Sequence, residues 1–296
     1  MKKLGVYIFI GFSWLLSKVP EFILYGIADF LYLILYYIVG YRRSTVNANL
    51  VNSFPDKPEK EIKQITKKFY HQLSDIFIEN IAILKMSNKR ILRMVEFEET
   101  DIYKKLYKSN KSIIGIAAHY SNWEMFLTLP EIVPHIVLGV YKPLKDVLFD
   151  KQFYKMRGKF GAFPITMNDT FKTVLRYKKE DKLTFLGLIA DQRPIKINKK
   201  YWTTFLNQET AVYIGPEKIA QKLNPAIIFT YLEKIKRGRY RIKTELLLED
   251  VSQCKEYEIT ETHLRFLEKL IIENPENYLW THKRWKFKKG DPNYDI

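Results

Sequence analysis

The sequence predicts an α/β fold: a mixed central sheet flanked by helices, preceded by a hydrophobic helical segment. Three observations carry this. Residues 112–118 are apolar and small or β-branched, and residues 183–190 form a second apolar run, as strands buried on both faces do. Segments with helical spacing alternate with such runs, the order expected of a sheet layered by helices. Residues 4–39 are nearly all apolar.

That first segment is broken by Lys18, Pro20, Glu21 and Asp29. Leu4 to Leu16, after Lys2-Lys3, imitates a signal peptide, but no convincing small-x-small cleavage site follows, so it reads as retained. Residues 22–39 approach the length of a membrane span, with Asp29 costly in hydrocarbon, and Arg42-Arg43 argue for a cytoplasmic end. The readings are one tilted anchor, two helices lying partly in the interface, or a buried helical hairpin. The expected division is a membrane-anchoring segment, 1–41, and a main domain, 42–296.

Residues 47–85 read as helical, with a turn at Phe54-Pro55-Asp56-Lys57-Pro58. Glu59 then opens a helix with Ile62, Ile65, Phe69, Leu73, Ile76, Phe77 and Asn80 at helical spacing. His71 lies on it without a partner the sequence can name. A helix is expected within 96–111 and, after the 112–118 strand, another from Trp123 until Pro130 stops it. Strands follow at 136–140 and 162–166, around a basic helix at 145–160, then a helix at 169–179 and the 183–190 strand. Residues 196–205 read as a basic, aromatic loop, and Pro216 suits the first turn of a helix ending at Leu223. Residues 225–233 and 240–248 read as strands joined by a basic turn, with a last helix at 261–273.

Lys and Arg number 49 against 33 acidic residues, a formal charge of +16 that favours anionic partners without choosing among them. No nucleic-acid module, Gly-Lys-Ser/Thr loop or Gly-x-Gly-x-x-Gly is recognisable, so no nucleotide cofactor is expected. One cysteine, Cys254, excludes an internal disulfide and a cysteine-based zinc site, and no metal is expected.

Chemistry concentrates at His119-Tyr120-Ser121-Asn122-Trp123-Glu124, just past the buried run. On one helix, five residues turn about 140°, so His119 and Glu124 would not share a face. With His119 at a strand end and Glu124 in the first turn beyond, they can meet across the bend. An imidazole with a carboxylate on its other nitrogen makes a general base, and the nucleophilic hydroxyl can then belong to the substrate. The same residues fit a capping box, in which Glu124 only ties up the helix start. Asp191-Gln192-Arg193-Pro194 stands past the 183–190 strand. Polar groups past two strand ends converge where open α/β sheets build sites. Asp191 is placed to position Arg157 or a substrate hydroxyl, or only to start a turn.

His119 to Glu124 resembles the histidine-four-residues-acid (HX4E) motif of glycerolipid acyltransferases, and its Asn122-Trp123-Glu124 ending is similar to the late (lauroyl/myristoyl) acyltransferases of lipid A biosynthesis. Arg42-Arg43, Asn49-Leu50, Phe54-Pro55, Tyr141-Lys142-Pro143, Arg157-Gly158 and Asp191-Gln192 match that family in order, as does Leu279-Trp280-Thr281-His282-Lys283-Arg284-Trp285-Lys286. Leu206 departs from the family's usual small residue after a Phe. The resemblance implies a glycerolipid acyltransferase-like fold and an O-acyltransferase on the cytoplasmic side of a bacterial inner membrane. It implies His119 as base oriented by Glu124, and substrate contacts from Arg157, Asp191, Gln192, Asn122, Trp123, His282 and Arg284. The implied donor is acyl carrier protein or acyl-CoA, and the acceptor a hydroxyl of a lipid A precursor. An aminolipid or lysophospholipid acceptor, and a non-catalytic basic membrane or nucleic-acid binder, are the alternatives.

Overall fold

A computed structural model describes residues 2–194 and 200–290. Its first two helices, α1 (Lys2–Leu16) and α2 (Glu21–Leu33), are separate, and α2 runs into a π-helical turn, Ile34–Ile38. The segment is thus two helices, the second of which keeps the length of a single anchor. The stretch Glu21–Ile38 is the one helix, among the described residues, long and apolar enough to cross a membrane. Asp29 does not stand alone on it: Arg237 donates to both its carboxylate oxygens, at 3.1 and 2.6 Å. The same guanidinium grips Asp75, which is fully buried. His71 Nε2 lies 2.9 Å from Asp29 Oδ1, the partner its sequence could not supply.

Helices α3 (Arg43–Ser53) and α4 (Glu59–Ile83) flank the expected Phe-Pro turn. Along α4 the stripe Ile62, Ile65, Phe69, Leu73 and Ile76 is buried, whereas Phe77 faces outward. Ile78 and Glu79 take the inward positions instead, as the 3.6-residue turn dictates. Then come α5 (Asn88–Leu92), the short strand β1 (Val95–Phe97), which has no clear sequence signal, and α6 (Ile102–Lys108).

The sheet strands are β2 (Ile113–Ala117), β3 (Ile136–Tyr141), β4 (Phe163–Thr166), β5 (Thr184–Ile189), β8 (Ala226–Lys236) and β9 (Arg239–Leu248), together with β1. They form one seven-stranded sheet in the order β1-β9-β8-β2-β5-β3-β4. Every neighbouring pair is parallel except the β8–β9 hairpin, so the sheet is mixed. Helices α7 (Val147–Arg157), α8 (Thr170–Lys179), α9 (Gly215–Leu223) and α10 (Glu258–Glu273) complete the layers. One apolar cluster joins Ile114 and Ile116 of β2 to α8, α9, α10 and the first half of α4. The other joins Ile113 and Phe185 to α1, α2, α6, α7 and the end of α4. Alternate residues of β2 thus feed opposite faces, as a doubly covered strand requires.

Two expectations need correction. Trp123–Glu131 is a 3₁₀ helix that contains Pro130 rather than an α-helix stopped by it. Residues 200–205 are strand β6, paired antiparallel with β7 (Gln208–Tyr213), not loop; residues 196–199 lie outside the described residues. The hairpin turns through Leu206 and Asn207, both at positive φ, 50° and 60°. Two left-handed residues are what a tight hairpin asks for, normally of Asn and Gly. Leu206 is accepted there because its side chain is buried, its N–H meets the Glu268 carboxylate, and Asn207 donates to the Ser53 carbonyl.

Gly115 in β2 is set by close approach. A Cβ there would sit 2.2 Å from the Phe185 ring of β5, whereas one at Gly139 in β3 would meet nothing within 4 Å. Gly115→Ala is therefore expected to lower stability by about 1–3 kcal/mol through overpacking. Gly139→Ala should shift it by less than about 1 kcal/mol, and equilibrium urea unfolding of the two variants reads the contrast.

Candidate active site

Strands β2 and β5 are parallel neighbours, with Ala117 opposite Ile189. Continuing each chain by two residues brings His119 opposite Asp191. The register therefore delivers both side chains to one sheet edge. His119 Nδ1 lies 2.8 Å from Asp191 Oδ1, which also accepts the His119 backbone N–H at 3.1 Å. A carboxylate at Nδ1 fixes the proton there and leaves the Nε2 lone pair free. Burial alone would push the Asp191 carboxyl up, but the His119 ring and these hydrogen bonds outweigh it and hold it below the usual carboxylate range. The Gln192 amide nitrogen stands 3.3 Å from both ring nitrogens. The Trp123 ring packs edge-on against the imidazole, centroids 4.9 Å apart. The imidazole keeps about a fifth of its surface open to solvent, while Asp191 is buried beneath it.

Glu124 is not the carboxylate on His119. It accepts two hydrogen bonds from Arg157 at the end of α7, Nε to Oε2 at 3.1 Å and Nη2 to Oε1 at 2.6 Å. The physical reason is the backbone between them: Ser121 sits at φ 56°, so the chain turns sharply before the 3₁₀ segment, and Glu124 emerges facing α7. No side-chain cap hydrogen bond forms at the start of that segment, so the capping-box reading fails too. Arg157 is correspondingly committed, its guanidinium also lying 5.7 Å from the ring centroids of Tyr141 and Phe153. Glu124 and Arg157 thus form a bidentate pair.

Asn122, expected to touch substrate, points the other way. It is buried, and its Nδ2 donates to Glu79 Oε2 at 2.6 Å. Glu79 also accepts from Tyr25 of α2 at 2.8 Å and Tyr240 of β9 at 2.7 Å. Burial pushes its carboxyl from the ordinary 4.5 up to about 7, against the pull of these donors. Sequence reasoning missed Glu79, although a signal existed: an acidic residue three after Ile76 on an apolar helical stripe. The folded state holds the Glu79 proton more tightly than the unfolded chain does. Its protonation therefore adds stability that is full below about 4.5 and lost as pH rises through about 7. Glu79→Gln should flatten that segment of a stability-versus-pH curve measured by chemical unfolding.

The C-terminal segment closes the site from behind. Leu279 N–H donates to the His119 carbonyl at 3.1 Å and Ser121 N–H to the Asn277 carbonyl at 2.8 Å. Asn49 of α3 holds the segment through the carbonyls of Trp280 and His282, at 2.8 and 3.0 Å, and Arg42 holds Thr281 at 3.0 Å. The early motifs thus anchor the late one. His282 and Arg284 were expected to contact substrate. Burial pushes His282 down to about 4, Asp191 opposing, so it is neutral at pH 7. Arg284 is buried and donates to the Ala211 carbonyl at 2.7 Å. Asn49→Ala strips two acceptors of their donor and should cost about 1–3 kcal/mol. Amide exchange should accelerate across Tyr278–Arg284 before it does in the sheet.

A cavity of about 220 Å³ opens at the opposite, N-terminal ends of β2 and β5, between residues such as Ser112 and Thr184. A groove of about 600 Å³ lies between α1 and the start of α7, against Val6, Phe9 and Phe149. His119 lines neither. Among the described residues no cluster of three His, Cys, Asp or Glu converges as a metal site needs.

Residues 1–287 match the family model for bacterial lipid A biosynthesis acyltransferases. The chain is similar to a lipid A biosynthesis palmitoleoyltransferase of Escherichia coli (strain K12), 20% identical over 250 residues, covering 83% of this chain and 79% of that one. A lipid A biosynthesis acyltransferase of Shigella flexneri matches with the same identity and coverage. A match across nearly the whole chain, on a mixed sheet whose strand ends gather a histidine and an aspartate, places the protein as an acyltransferase belonging to the bacterial lipid A biosynthesis acyltransferase family.

Proposed function

We propose that the chain moves a fatty acyl group from the thioester of acyl carrier protein or coenzyme A to a hydroxyl of a lipid A precursor, with His119 as general base. The observation that carries this reading is the His119 Nδ1–Asp191 hydrogen bond of 2.8 Å at the open edge of the sheet. The Nε2 lone pair takes the acceptor O–H proton as that oxygen attacks the thioester carbonyl, and the C–O bond forms while the carbonyl electrons move to oxygen. Collapse of the oxyanion breaks the C–S bond, and the leaving thiolate takes the proton back from His119. Asp191 stabilises the imidazolium between the two transfers, the role the sequence had suggested for Glu124. The Gln192 amide, beside both ring nitrogens, supplies a hydrogen bond to the developing oxyanion. Trp123 walls the imidazole. Glu124 serves through Arg157, pinning α7 to the turn that follows His119.

The acceptor would be met at the cytoplasmic face of the inner membrane. Leu4, Tyr7 and Ile8 of α1 and Phe22 and Phe30 of α2 each leave more than 60% of their surface exposed, which suits a lipid environment and not water. The formal charge of +16 would steer an acidic carrier and anionic headgroups alike.

The test is transfer of labelled acyl groups from carrier-protein and coenzyme A thioesters to a phosphorylated, hydroxyacylated glucosamine lipid in membranes. His119→Ala should abolish it while membrane association survives. Asp191→Asn should lower kcat by about 10²–10⁴-fold, and Glu124→Gln by far less. Full activity in His119→Ala defeats the base. An inactive Glu124→Gln beside an active Asp191→Asn returns the orienting role to Glu124. Mass spectrometry of the product separates a glucosamine lipid from an aminolipid or lysophospholipid acceptor.

A further inference from the structure

The turn that presents His119 is strained. Ser121 is buried, carries a positive φ of 56°, and its hydroxyl has no partner. A non-glycine residue in that region persists only where its surroundings over-determine it. On the C-terminal side the backbone hydrogen bonds of Ser121 and Leu279 do this. On the other side one side chain grips the turn: Asn122, held at 2.6 Å by Glu79.

Glu79 is fully buried, and its carboxylate receives donors from three elements besides its own: Tyr25 of α2, Tyr240 of β9 and Asn122. Tyr25 is fixed in turn by the turn between β8 and β9. Gly238 lies at φ 71°, and a Cβ there would stand 2.0 Å from the Tyr25 hydroxyl. The reaction proposed above has no use for a buried carboxylate at this place. Removing it would release the motif turn from both the apolar helix pair and the sheet.

We propose that Glu79 is a positioning residue for acyl transfer: its carboxylate, seated by Tyr25 and Tyr240, clamps Asn122 and so fixes the turn that aims His119. The inference rests on His119 acting as base. The clamp depends on the charge of the carboxylate. An ionised Glu79 accepts all three hydrogen bonds, with Oε2 serving Asn122 and Tyr240, and Oε1 serving Tyr25. A proton on Oε1 makes that oxygen a donor to Tyr25, whose hydroxyl can accept, and removes the charge that strengthens the Asn122 and Tyr240 hydrogen bonds to Oε2. The titratable groups facing it are Tyr25, Tyr240 and Asp75; Asp75 and burial favour the protonated form, and the three donors oppose them. The clamp therefore tightens as pH rises through the region of about 7.

The experiment uses the full chain in membranes, with the carrier-protein thioester and glucosamine-lipid assay above. Glu79→Gln keeps the shape, and the unpartnered Asn122 Oδ1 gives the new amide an acceptor, so the variant should fold. Its kcat should drop on the order of tenfold with KM little changed, and the activity limb near neutral pH should lose one ionisation. Tyr25→Phe, which removes one donor and keeps the carboxylate, should lower kcat less and keep that ionisation. Wild-type kcat and an unaltered pH profile in Glu79→Gln, with His119→Ala inactive, overturn the clamp and spare the base. An active His119→Ala overturns the base, and with it the clamp. A Glu79→Gln that lowers only the melting temperature, with kcat and pH profile intact, reduces Glu79 to a structural residue and also overturns the proposal.

Discussion

The contact between His119 and Asp191 depends on the parallel pairing of β2 with β5. Parallel strands run their C-terminal ends to the same edge, and the register Ala117 to Ile189 sets the next residues face to face. A slip of one residue would turn one of the two side chains to the other face of the sheet. The register is pinned by packing: Phe185 of β5 lies across Gly115 of β2, a space no other residue of β2 would leave. Apolar clusters on both faces hold the pair in place. The placement of one base thus rests on a strand register, and that on a ring over a glycine.

The second constraint is burial of charge. Asp75 and Glu79 are fully buried, where carboxylates are expensive, and they and the half-exposed Asp29 are each met by several donors. Arg237 takes two of them at once and so ties α2 to α4 through the turn between β8 and β9. Lys234 adds its ammonium to Gln72 and Asp75. The helix pair at the N-terminus is consequently more than an apolar appendage. Its inner face is joined to the domain by specific ionic and hydrogen-bonded contacts, while its outer face stays apolar and open. A boundary drawn at residue 41 marks a change in composition and is crossed by these bonds.

Much of the fold was readable from the chain, because buried strands and amphipathic helices write their period into the sequence. Residues 113–117, 136–141 and 184–189 were found within a residue or two for that reason. The short β1 and the β6–β7 hairpin were not, since their residues mix charge with aromatics and lack a clear alternation. The site was legible in its members and not in its pairings. His119, Asp191, Gln192 and Trp123 do come together. Spacing alone favoured Glu124 over Asp191 as the partner of His119, because Glu124 is five residues away in sequence and Asp191 seventy-two. Only the strand register reverses that order, and a register is a property of the assembled sheet. The burial of His282 and Arg284 was not legible, because sequence displays charge and conceals burial.

The most direct measurement is the protonation of the His119 ring itself, by nitrogen-15 NMR of histidine-labelled protein in lipid nanodiscs, with His119→Ala assigning the signal. The account predicts that the neutral ring carries its proton on Nδ1, that Asp191→Asn disturbs this state, and that Glu124→Gln leaves it alone. A neutral ring protonated on Nε2, or one that responds to Glu124→Gln and ignores Asp191→Asn, would contradict it.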